Sequence, residues 1–540
     1  MIRRRPLFGA ALFVAAAAAA AAPAQAPAGG APSAAPAPAP ALEESLSAAD
    51  LARLGRAARS EKLPDLKALA GEIAGLPSPA PLLPIAIEAL FSAEKGLARA
   101  VDERDREGAK LYSYYLRNYE SDGRKGSFDT PKEQARYDQM KAESRVLNAR
   151  VKEARATLAA LSAAVRTLAD RASRIEPDRA PAAAAIRDGI ERQRAAPAAI
   201  AAVLSSIPES LVPELAPVLF GLVTVDGDRG VRIAAIRSGL EAVQDRAVPP
   251  LSIALAAGDP FVRRAAARVL AELATGPAVG LLVERLPEES GLPADEILSH
   301  LRSLSGESFG RNPAFWQAWW KEMEPVWVGP FARDRKRARE AAEERWKYFG
   351  LSLASNQVVF VIDTSASMER GVGFIPPDRS TINAGRVKID VAKEELKSAI
   401  DGLEADAWFT IIAYDTKTRT LSPKLLQASG ANKKSAKAWV GKLEPNANTN
   451  PSSALADAFA LTRPAGKPGD GAVADTIVLL SDGDPTCGPI KYADEIADEV
   501  ARLNADGLVL LHTIHLGHED TTGFMERLAE ENGGKFVHVK

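Results

Sequence analysis

A short apolar run that opens directly onto spaced polar residues is the feature that most constrains this fold. Residues 358–362 are all valine, phenylalanine or isoleucine, which is typical of a strand buried on both faces of a parallel sheet. The run is followed by the pattern D-x-S-x-S, formed by Asp363, Ser365 and Ser367. Residues two apart point the same way in an extended segment, so one carboxylate and two hydroxyls can converge on a cation at the carboxyl edge of a sheet.

A second apolar run, residues 476–481, ends in the same manner at Asp482 and Gly483. Between the two runs, Thr449 lies in a polar loop just before a helix that we expect to begin near Pro451. Both edges therefore supply oxygen donors that a hard divalent cation prefers.

In this order, the residues resemble the metal-ion-dependent adhesion site of von Willebrand factor A domains, over about residues 357–540. The family has D-x-S-x-S, then a threonine in a loop, then an aspartate and a glycine after a buried strand. The five positions are filled by Asp363, Ser365, Ser367, Thr449 and Asp482. The family usually has glycine before the threonine, where this chain has Ala447 and Asn448, so direct or water-mediated contact by Thr449 stays open.

The resemblance implies a divalent cation, Mg²⁺ in the first place with Mn²⁺ or Ca²⁺ as alternatives, and a protein partner that offers a Glu or Asp side chain to it. In the structural alternative the serines only cap the following helix and Asp363 accepts hydrogen bonds from the loop, which leaves Thr449 and Asp482 unexplained.

Hydrolase chemistry, with Asp484 or Glu369 as base, is disfavoured because Mg²⁺ acidifies water less than zinc does. The sequence has no phosphate-binding glycine loop and no nucleophile elbow, so we expect no enzyme.

Three histidines and one cysteine could suggest other chemistry. On a strand, His512 and His515 face opposite sides of the sheet, which argues against a zinc site with His518. Cys487 is the sole cysteine, with no histidine within a dozen residues, so we expect a packed side chain, with intermolecular pairing as the alternative.

The rest of the C-terminal third alternates strands and helices. Helices are predicted at residues 386–400, 452–461 and 492–503, and strands at 408–414, 508–516 and 535–539. This alternation favours a doubly wound α/β domain, which we place at residues 351–540. The connection 369–385 contains Phe374 and Ile375, which we expect either to meet the partner beside the ion or to fold back as core.

The N-terminus has the pattern of an export signal. Three arginines at positions 3–5 precede an alanine-rich apolar core at 7–22, and small residues allow cleavage after Ala24 or Ala26. We assign residues 1–24 to this signal and 25–42 to a Pro/Ala-rich linker, which places the body in the periplasm, the cell envelope or the medium. Export by the twin-arginine route and retention as an uncleaved anchor are alternatives.

Residues 43–175 are predicted to form a long coiled-coil-like hairpin. A capping box at Thr130 and Glu133 starts a helix of about 60 Å with an apolar heptad seam. Residues 83–119 could supply its antiparallel partner, and homodimerisation through the seam is the alternative.

Residues 176–325 are predicted to form a short solenoid. The motif at Asp228 recurs at Asp259, each aspartate followed after two residues by Val-Arg, which resembles HEAT repeats. An aromatic element near Trp316 closes the solenoid, with sugar or peptide binding as its alternative role. Residues 326–350 are predicted as a charged linker helix, because glutamates alternate with its basic residues.

The predicted fold is therefore multidomain, with an all-α hairpin and HEAT-like solenoid followed by an α/β doubly wound von Willebrand factor A domain. A net charge of −2 gives no reason to expect a nucleic-acid partner, and apart from the N-terminal signal we expect no lipid-embedded domain. We expect an exported adhesion protein. The alternative is a cell-envelope scaffold in which the helices bind and the metal only stabilises the C-terminal domain.

Overall fold

The computed structural model describes the chain from residue 46 to residue 539 with gaps. The described ranges are 46–120, 127–128, 130–192, 196–225, 227–307, 309–330, 346–353, 355–371, 387–463, 472–517 and 522–539. They belong to one compact unit, Ser45–Lys540. The predicted export signal and Pro/Ala-rich linker lie outside the described residues.

A long helical hairpin dominates the N-terminal part. Its elements are α1 (Ala48–Ala58), α2 (Leu63–Gly75), α3 (Pro79–Asn118), β1 (Tyr119–Glu120), β2 (Ser127–Phe128) and α4 (Pro131–Ser173). β1 and β2 pair antiparallel, so α3 and α4 run in opposite directions, as predicted. Thr130 and Glu133 form the expected capping box, with Pro131 in the first turn. Along the predicted seam, the chain's own packing buries Leu147, Val151, Ala154, Leu161, Val165 and Leu168.

Short helices follow in stacked pairs. They are α5 (Glu176–Arg192), α6 (Pro197–Leu204), α7 (Val212–Thr224), α8 (Arg229–Ile236), α9 (Val248–Leu255), α10 (Pro260–Leu273), α11 (Gly276–Arg285), α12 (Gly291–Ser305) and α13 (Pro313–Met323). Turns of 3-10 helix lie at Glu209–Leu211, Leu240–Ala247, Leu286–Glu288 and Glu324–Val326.

The two aspartates of the sequence repeat each begin a helix. Asp228 accepts from the Val231 amide at 3.0 Å and starts α8, and Asp259 accepts from the Phe261 amide at 2.9 Å and starts α10. The Arg229 Nε also donates to Asp259 at 2.7 Å, which ties the pair α8–α9 to the pair α10–α11. The repeat therefore encodes both the helix starts and the contact between neighbouring pairs.

Aromatic side chains close the far end of these pairs. Trp316 is fully buried, and its indole donates to the Gly310 carbonyl at 3.0 Å. Trp327 donates to the carbonyl of Ala274 at 2.9 Å. The rings of α13 pack against α11, where a side chain at Gly280 would meet Trp320 at 3.1 Å.

The C-terminal part is an α/β domain. Its elements are β3 (Trp346–Tyr348), β4 (Leu351–Leu353), β5 (Gln357–Asp363), a 3-10 turn (Ala366–Glu369), α14 (Lys388–Gly402), β6 (Trp408–Tyr414), β7 (Thr418–Thr420), β8 (Leu426–Gln427), α15 (Gly430–Gly441), α16 (Pro451–Ala460), β9 (Thr476–Ser481), α17 (Ala493–Leu503), β10 (Leu510–Leu516), α18 (Phe524–Glu531) and β11 (Phe536–Val539). The sheet order is β11-β10-β9-β5-β6-β7, with β8 also on β6. From β11 to β6 the strands are parallel, whereas β7 and β8 run antiparallel to β6.

The two faces of the sheet belong to different cores. Val358, Phe360 and Ile362 point to the face covered by α14 and α15. Val359 and Val361 point to the other face, whose core continues through α16, α17 and α18 into the helical region. The α/β domain and the helices are thus packed as one body and are not joined only by a linker.

The structure differs from the sequence prediction at the domain boundary. Within the range 326–350 predicted as a linker helix, residues 331–345 lie outside the described residues and Trp346–Tyr348 is a strand. That strand pairs with β4, and Tyr348 packs edge-on against Phe360 at 5.6 Å. The α/β domain therefore begins a few residues before position 351.

Among the described helices, none by itself has the length and apolar composition needed to cross a bilayer; the bent pair Pro197–Leu204 and Glu209–Thr224 meets that test only when taken together.

Candidate metal site at the carboxyl edge of the sheet

The D-x-S-x-S residues turn away from the end of β5 in a fixed arrangement. Asp363 is the last residue of β5 and is fully buried, and one of its carboxylate oxygens accepts from the Ser365 amide at 2.7 Å. The hydroxyls of Ser365 and Ser367 lie 2.9 Å apart. The spacing of the motif therefore brings its two hydroxyls to one point, as the sequence predicted.

Asp482, which follows β9, joins the same cluster. Its Oδ1 accepts from the Ser367 hydroxyl at 2.7 Å. The preceding residue, Ser481, donates to the other carboxylate, Asp363, at 2.6 Å. β9 is the neighbour of β5 in the sheet, so the two predicted edges meet, and four of the predicted residues form one hydrogen-bonded chain.

Thr449 is held beside this chain by its backbone. Its amide donates to the Thr486 hydroxyl at 2.8 Å, and its carbonyl accepts from the Thr486 amide at 2.9 Å. The loop itself is bonded to the D-x-S-x-S segment: the Ala366 amide donates to the Ala447 carbonyl at 3.2 Å, and the Asn446 amide donates to the Thr364 carbonyl at 2.7 Å. Thr449 is buried beside this edge, and its backbone contacts with Thr486 keep it there.

The loop keeps a glycine-like backbone at the point where this chain departs from the family's usual glycine. Ala447 adopts the left-handed conformation, with φ of 47°, which a glycine would adopt without strain. Asn448 contacts the helical hairpin: its side-chain amide donates to the Tyr115 hydroxyl on α3 at 2.6 Å. The hairpin thus touches the loop that carries Thr449.

Burial changes the protonation of the site. The pKa of Asp363 is raised to about 6, first by burial and then by the neighbouring charge of Asp482; the hydrogen bonds from Ser481 and Ser365 oppose this. Two carboxylates that lie close together in a buried setting favour either a proton or a cation between them. Such a pair is a good acceptor for a divalent ion.

Three contributing residues were missed by the sequence analysis. They are Ser481, the Tyr414 hydroxyl, which donates to Asp363 at 3.4 Å, and Lys388, whose Nζ lies 2.8 Å from Asp482 Oδ2. Lys388 carried a usable signal, because it is the first residue of α14 and a positive charge is disfavoured at a helix N-terminus. A lysine in that position needs an anionic neighbour.

The donor set fits a hard cation. The side-chain atoms of the five residues that could bind an ion are all carboxylate or hydroxyl oxygens. Mg²⁺ and Mn²⁺ prefer such oxygen ligands, whereas zinc prefers nitrogen and sulfur. Within the described ranges, no group of three or more His, Cys, Asp or Glu residues has metal-binding geometry. The candidate site therefore depends on hydroxyls as well as on its two carboxylates.

A comparison of the chain with known protein families agrees with the geometry of this site. The family model described as von Willebrand factor type A domain matches residues 356–537. These residues form a von Willebrand factor type A domain. The resemblance found from five residues thus extends over the whole C-terminal domain.

Similar curated proteins match about a third of this chain. The inter-alpha-trypsin inhibitor heavy chain H2 of Homo sapiens is 30% identical over 179 residues, which are 33% of this chain and 17% of the relative. The heavy chain H4 of Bos taurus is 29% identical over 190 residues, 34% of this chain and 18% of that one. The chain thus spans about a sixth of the length of these curated relatives.

Among solved structures, the von Willebrand factor type A protein from Catenulispora acidiphila is 24% identical, with a TM-score of 0.27, over 35% of this chain and 40% of that chain. An aerotolerance-related membrane protein from Bacteroides fragilis is 17% identical, with a TM-score of 0.24, over 34% of this chain and 90% of that chain.

The other residues considered in the sequence have local roles. His512 accepts from the Lys535 amide at 3.0 Å, and burial lowers its pKa to about 4. His515 packs against His538 with ring centroids 5.3 Å apart. Cys487 is buried, which raises the pKa of its thiol to about 12 and makes it a poor nucleophile. His518 lies outside the described residues.

The two ends of the long connection after the D-x-S-x-S motif lie next to each other. Gly371 and Val387 form an antiparallel bridge, and the Lys388 amide donates to the Arg370 carbonyl at 3.0 Å. Phe374 and Ile375 lie outside the described residues, so their contact with a partner stays a prediction.

Proposed function

We propose that this chain is an exported, non-enzymatic protein that binds a protein partner through a divalent cation held by Asp363, Ser365, Ser367, Thr449 and Asp482. The observation that carries the proposal is the continuous contact from Asp363 through Ser365 and Ser367 to Asp482 at the carboxyl edge of the sheet. That edge is where open α/β sheets bind ligands.

The chain's own residues would hold the ion and orient it. Asp363 and Asp482 would supply two negative charges, while the hydroxyls of Ser365 and Ser367 are close enough to act together. Ser481 and the Ser365 amide fix the two oxygens of Asp363, so this carboxylate cannot rotate freely. A bound Mg²⁺ or Mn²⁺ would supply an open coordination position for an acidic side chain of the partner.

The export part of the proposal rests on the arginines and the apolar core before residue 24. N-terminal sequencing of the protein from its native host tests it. We expect a chain that begins after Ala24 or Ala26 outside the cytoplasm, and recovery of Met1 on cytoplasmic protein would contradict export.

The adhesion part is tested by affinity capture from an envelope extract with the whole chain as bait. We expect a partner that is retained with Mg²⁺, released by a chelator and lost in Asp363→Ala. Ser422→Ala, on a loop of the same domain outside the site, is the matched control and should retain it. A partner held equally with and without chelator would contradict metal-dependent adhesion.

A second candidate function is that of an assembly scaffold in which the helical region binds. It is favoured by a cleft of about 1760 Å³ between the helical region and the α/β domain, lined in part by Arg229, Asp259, Asp498 and Asp506. None of the five candidate metal residues lines this cleft. Retention of the partner in the presence of chelator, with loss on mutation of Arg229, would favour this function.

A further inference from the structure

Lys388 places a positive charge inside the candidate metal site. Its Nζ lies 2.8 Å from Asp482 Oδ2, and the side chains are only 7% and 0% exposed, respectively. The other oxygen of the same carboxylate accepts from Ser367. Asp482 is therefore shared between a lysine on one side and the D-x-S-x-S motif on the other.

The fold makes room for this lysine. Gly517 follows β10 with φ of 118°, and a Cβ there would lie 2.8 Å from both Cε and Nζ of Lys388. The backbone of the lysine is fixed as well, because its amide donates to the Arg370 carbonyl at 3.0 Å. Two separate strand ends, those of β9 and β10, thus frame the ammonium group.

We propose that Lys388 is a resident counter-ion that competes with the divalent cation for Asp482 and lowers the affinity of the site for that cation. This inference rests on the proposed function. Asp363 and Asp482 together carry a formal charge of about −2, and the lysine reduces it to about −1. An incoming ion must either displace the ammonium from Asp482 Oδ2 or bind beside it, and both weaken binding.

The lysine also sets the charge that a partner meets. With a divalent ion, two carboxylates and one ammonium, the formal sum is about +1, which one acidic side chain would neutralise. The ion alone with two carboxylates would leave no net charge. Lys388 therefore gives the loaded site a preference for an anionic ligand.

Calorimetric titration of the whole chain with MnCl₂ tests the proposal. We expect Lys388→Met to bind Mn²⁺ at least about tenfold more tightly than the wild type, since a full charge is removed from a few ångströms away. Lys397→Met is the matched control, because it removes the same charge from the same helix about 13 Å further along its axis. Its affinity should stay within about twofold of the wild type.

Each outcome decides between the two proposals. Unchanged affinity in Lys388→Met, with binding lost in Asp363→Ala, would overturn the counter-ion and leave the metal site standing. Absence of Mn²⁺ binding in both wild type and Lys388→Met would overturn both, whereas binding that appears only in the variant would support the lysine as competitor. Should Lys388→Met fail to fold, Lys388→Gln gives the same comparison, because its amide can still donate to Asp482.

Discussion

Two buried carboxyl groups show how strongly burial raises the pKa of aspartate side chains in this domain. Asp363 lies at the carboxyl edge of the sheet and Asp475 at the opposite edge, directly before β9. Burial raises the pKa of Asp475 to about 6, although Arg264 and hydrogen bonds from Ser355 and Thr476 oppose the shift. Each carboxyl group holds its proton in the folded chain at a pH where the unfolded chain has lost it.

Asp475→Asn should stabilise the protein above pH 6. The pKa of this carboxyl is about 6 in the folded chain and 3.8 in its reference state, so the wild type loses stability as pH rises between these values. The loss amounts to about 3 kcal/mol at most. Urea unfolding of both proteins at several pH values measures the difference, in which the contribution of Asp363 cancels. A difference that does not change between pH 4 and pH 7 would contradict the assignment.

At the residue scale, the sequence predicted the five candidate metal residues but not the groups around them. The motif spacing and the order of the strands were enough to place Asp363, Ser367 and Asp482 together. Lys388 could not be paired with Asp482 from the sequence, because 94 positions separate them and only the packing of α14 beside β9 brings them into contact.

At the scale of elements, the contact between the hairpin and the threonine loop links the two parts of the chain. Tyr115 on α3 is buried and accepts from Asn448, the residue before Thr449. Tyr115 also belongs to an aromatic cluster with Phe128 and Tyr137, at ring distances of 6.4 and 5.7 Å. The end of the hairpin therefore presents a fixed hydroxyl to the loop.

Tyr115→Phe should destabilise the threonine loop and weaken Mn²⁺ binding by a few fold. The substitution leaves the half-buried side-chain amide of Asn448 without this acceptor, at a cost of about 1 kcal/mol. Tyr114→Phe is the control, since that hydroxyl donates to the Glu133 carbonyl on α4 at 3.4 Å and not to the loop. Thermal unfolding and Mn²⁺ titration of both variants measure the effect. Equal behaviour of the two would contradict the link.

Periodicity predicted the long elements and missed the short ones. β5, β6, β9 and β10 are rich in apolar residues and buried along almost their whole length, and α4 has a sustained apolar seam, so each was recognisable. β7 is a three-residue strand with no buried residue, and it forms only because β6 offers it a free edge. The strand β3 also has only three residues, too few to show a strand period after the charged segment before it.

At the scale of the whole molecule, the hairpin and the von Willebrand factor type A domain meet along α17 through charged groups. Glu499 accepts from Arg104 at 2.8 Å, from Arg155 at 3.1 Å and from Arg502. Burial would raise the pKa of Glu499, but the hydrogen bonds from Arg502 and Arg104 lower it to about 2. The sequence showed apolar faces on both parts, but it could not show which faces meet, because no local pattern encodes that choice.

Glu499→Gln should destabilise the protein by about 3 kcal/mol at pH 7 and separate its unfolding into two transitions. The buried Arg104 would lose an ionic partner at the contact between the two parts. Because the pKa of Glu499 is depressed, wild type and variant should converge as pH falls from about 4.5 toward 2. Asp494→Asn, an exposed change on the same helix, is the control for differential scanning calorimetry. A single unshifted transition in the Glu499 variant would contradict a shared fold.

The central claim is that the carboxyl edge of the sheet holds a divalent cation. It is tested most directly by crystals of the whole chain grown with MnCl₂ and measured for anomalous scattering of manganese. We expect one strong peak within coordination distance of the Ser365 and Ser367 hydroxyls and beside Asp363 and Asp482, which vanishes in crystals of Asp363→Ala. A map with no peak at this edge, at a manganese concentration that saturates the calorimetric titration, would contradict the claim.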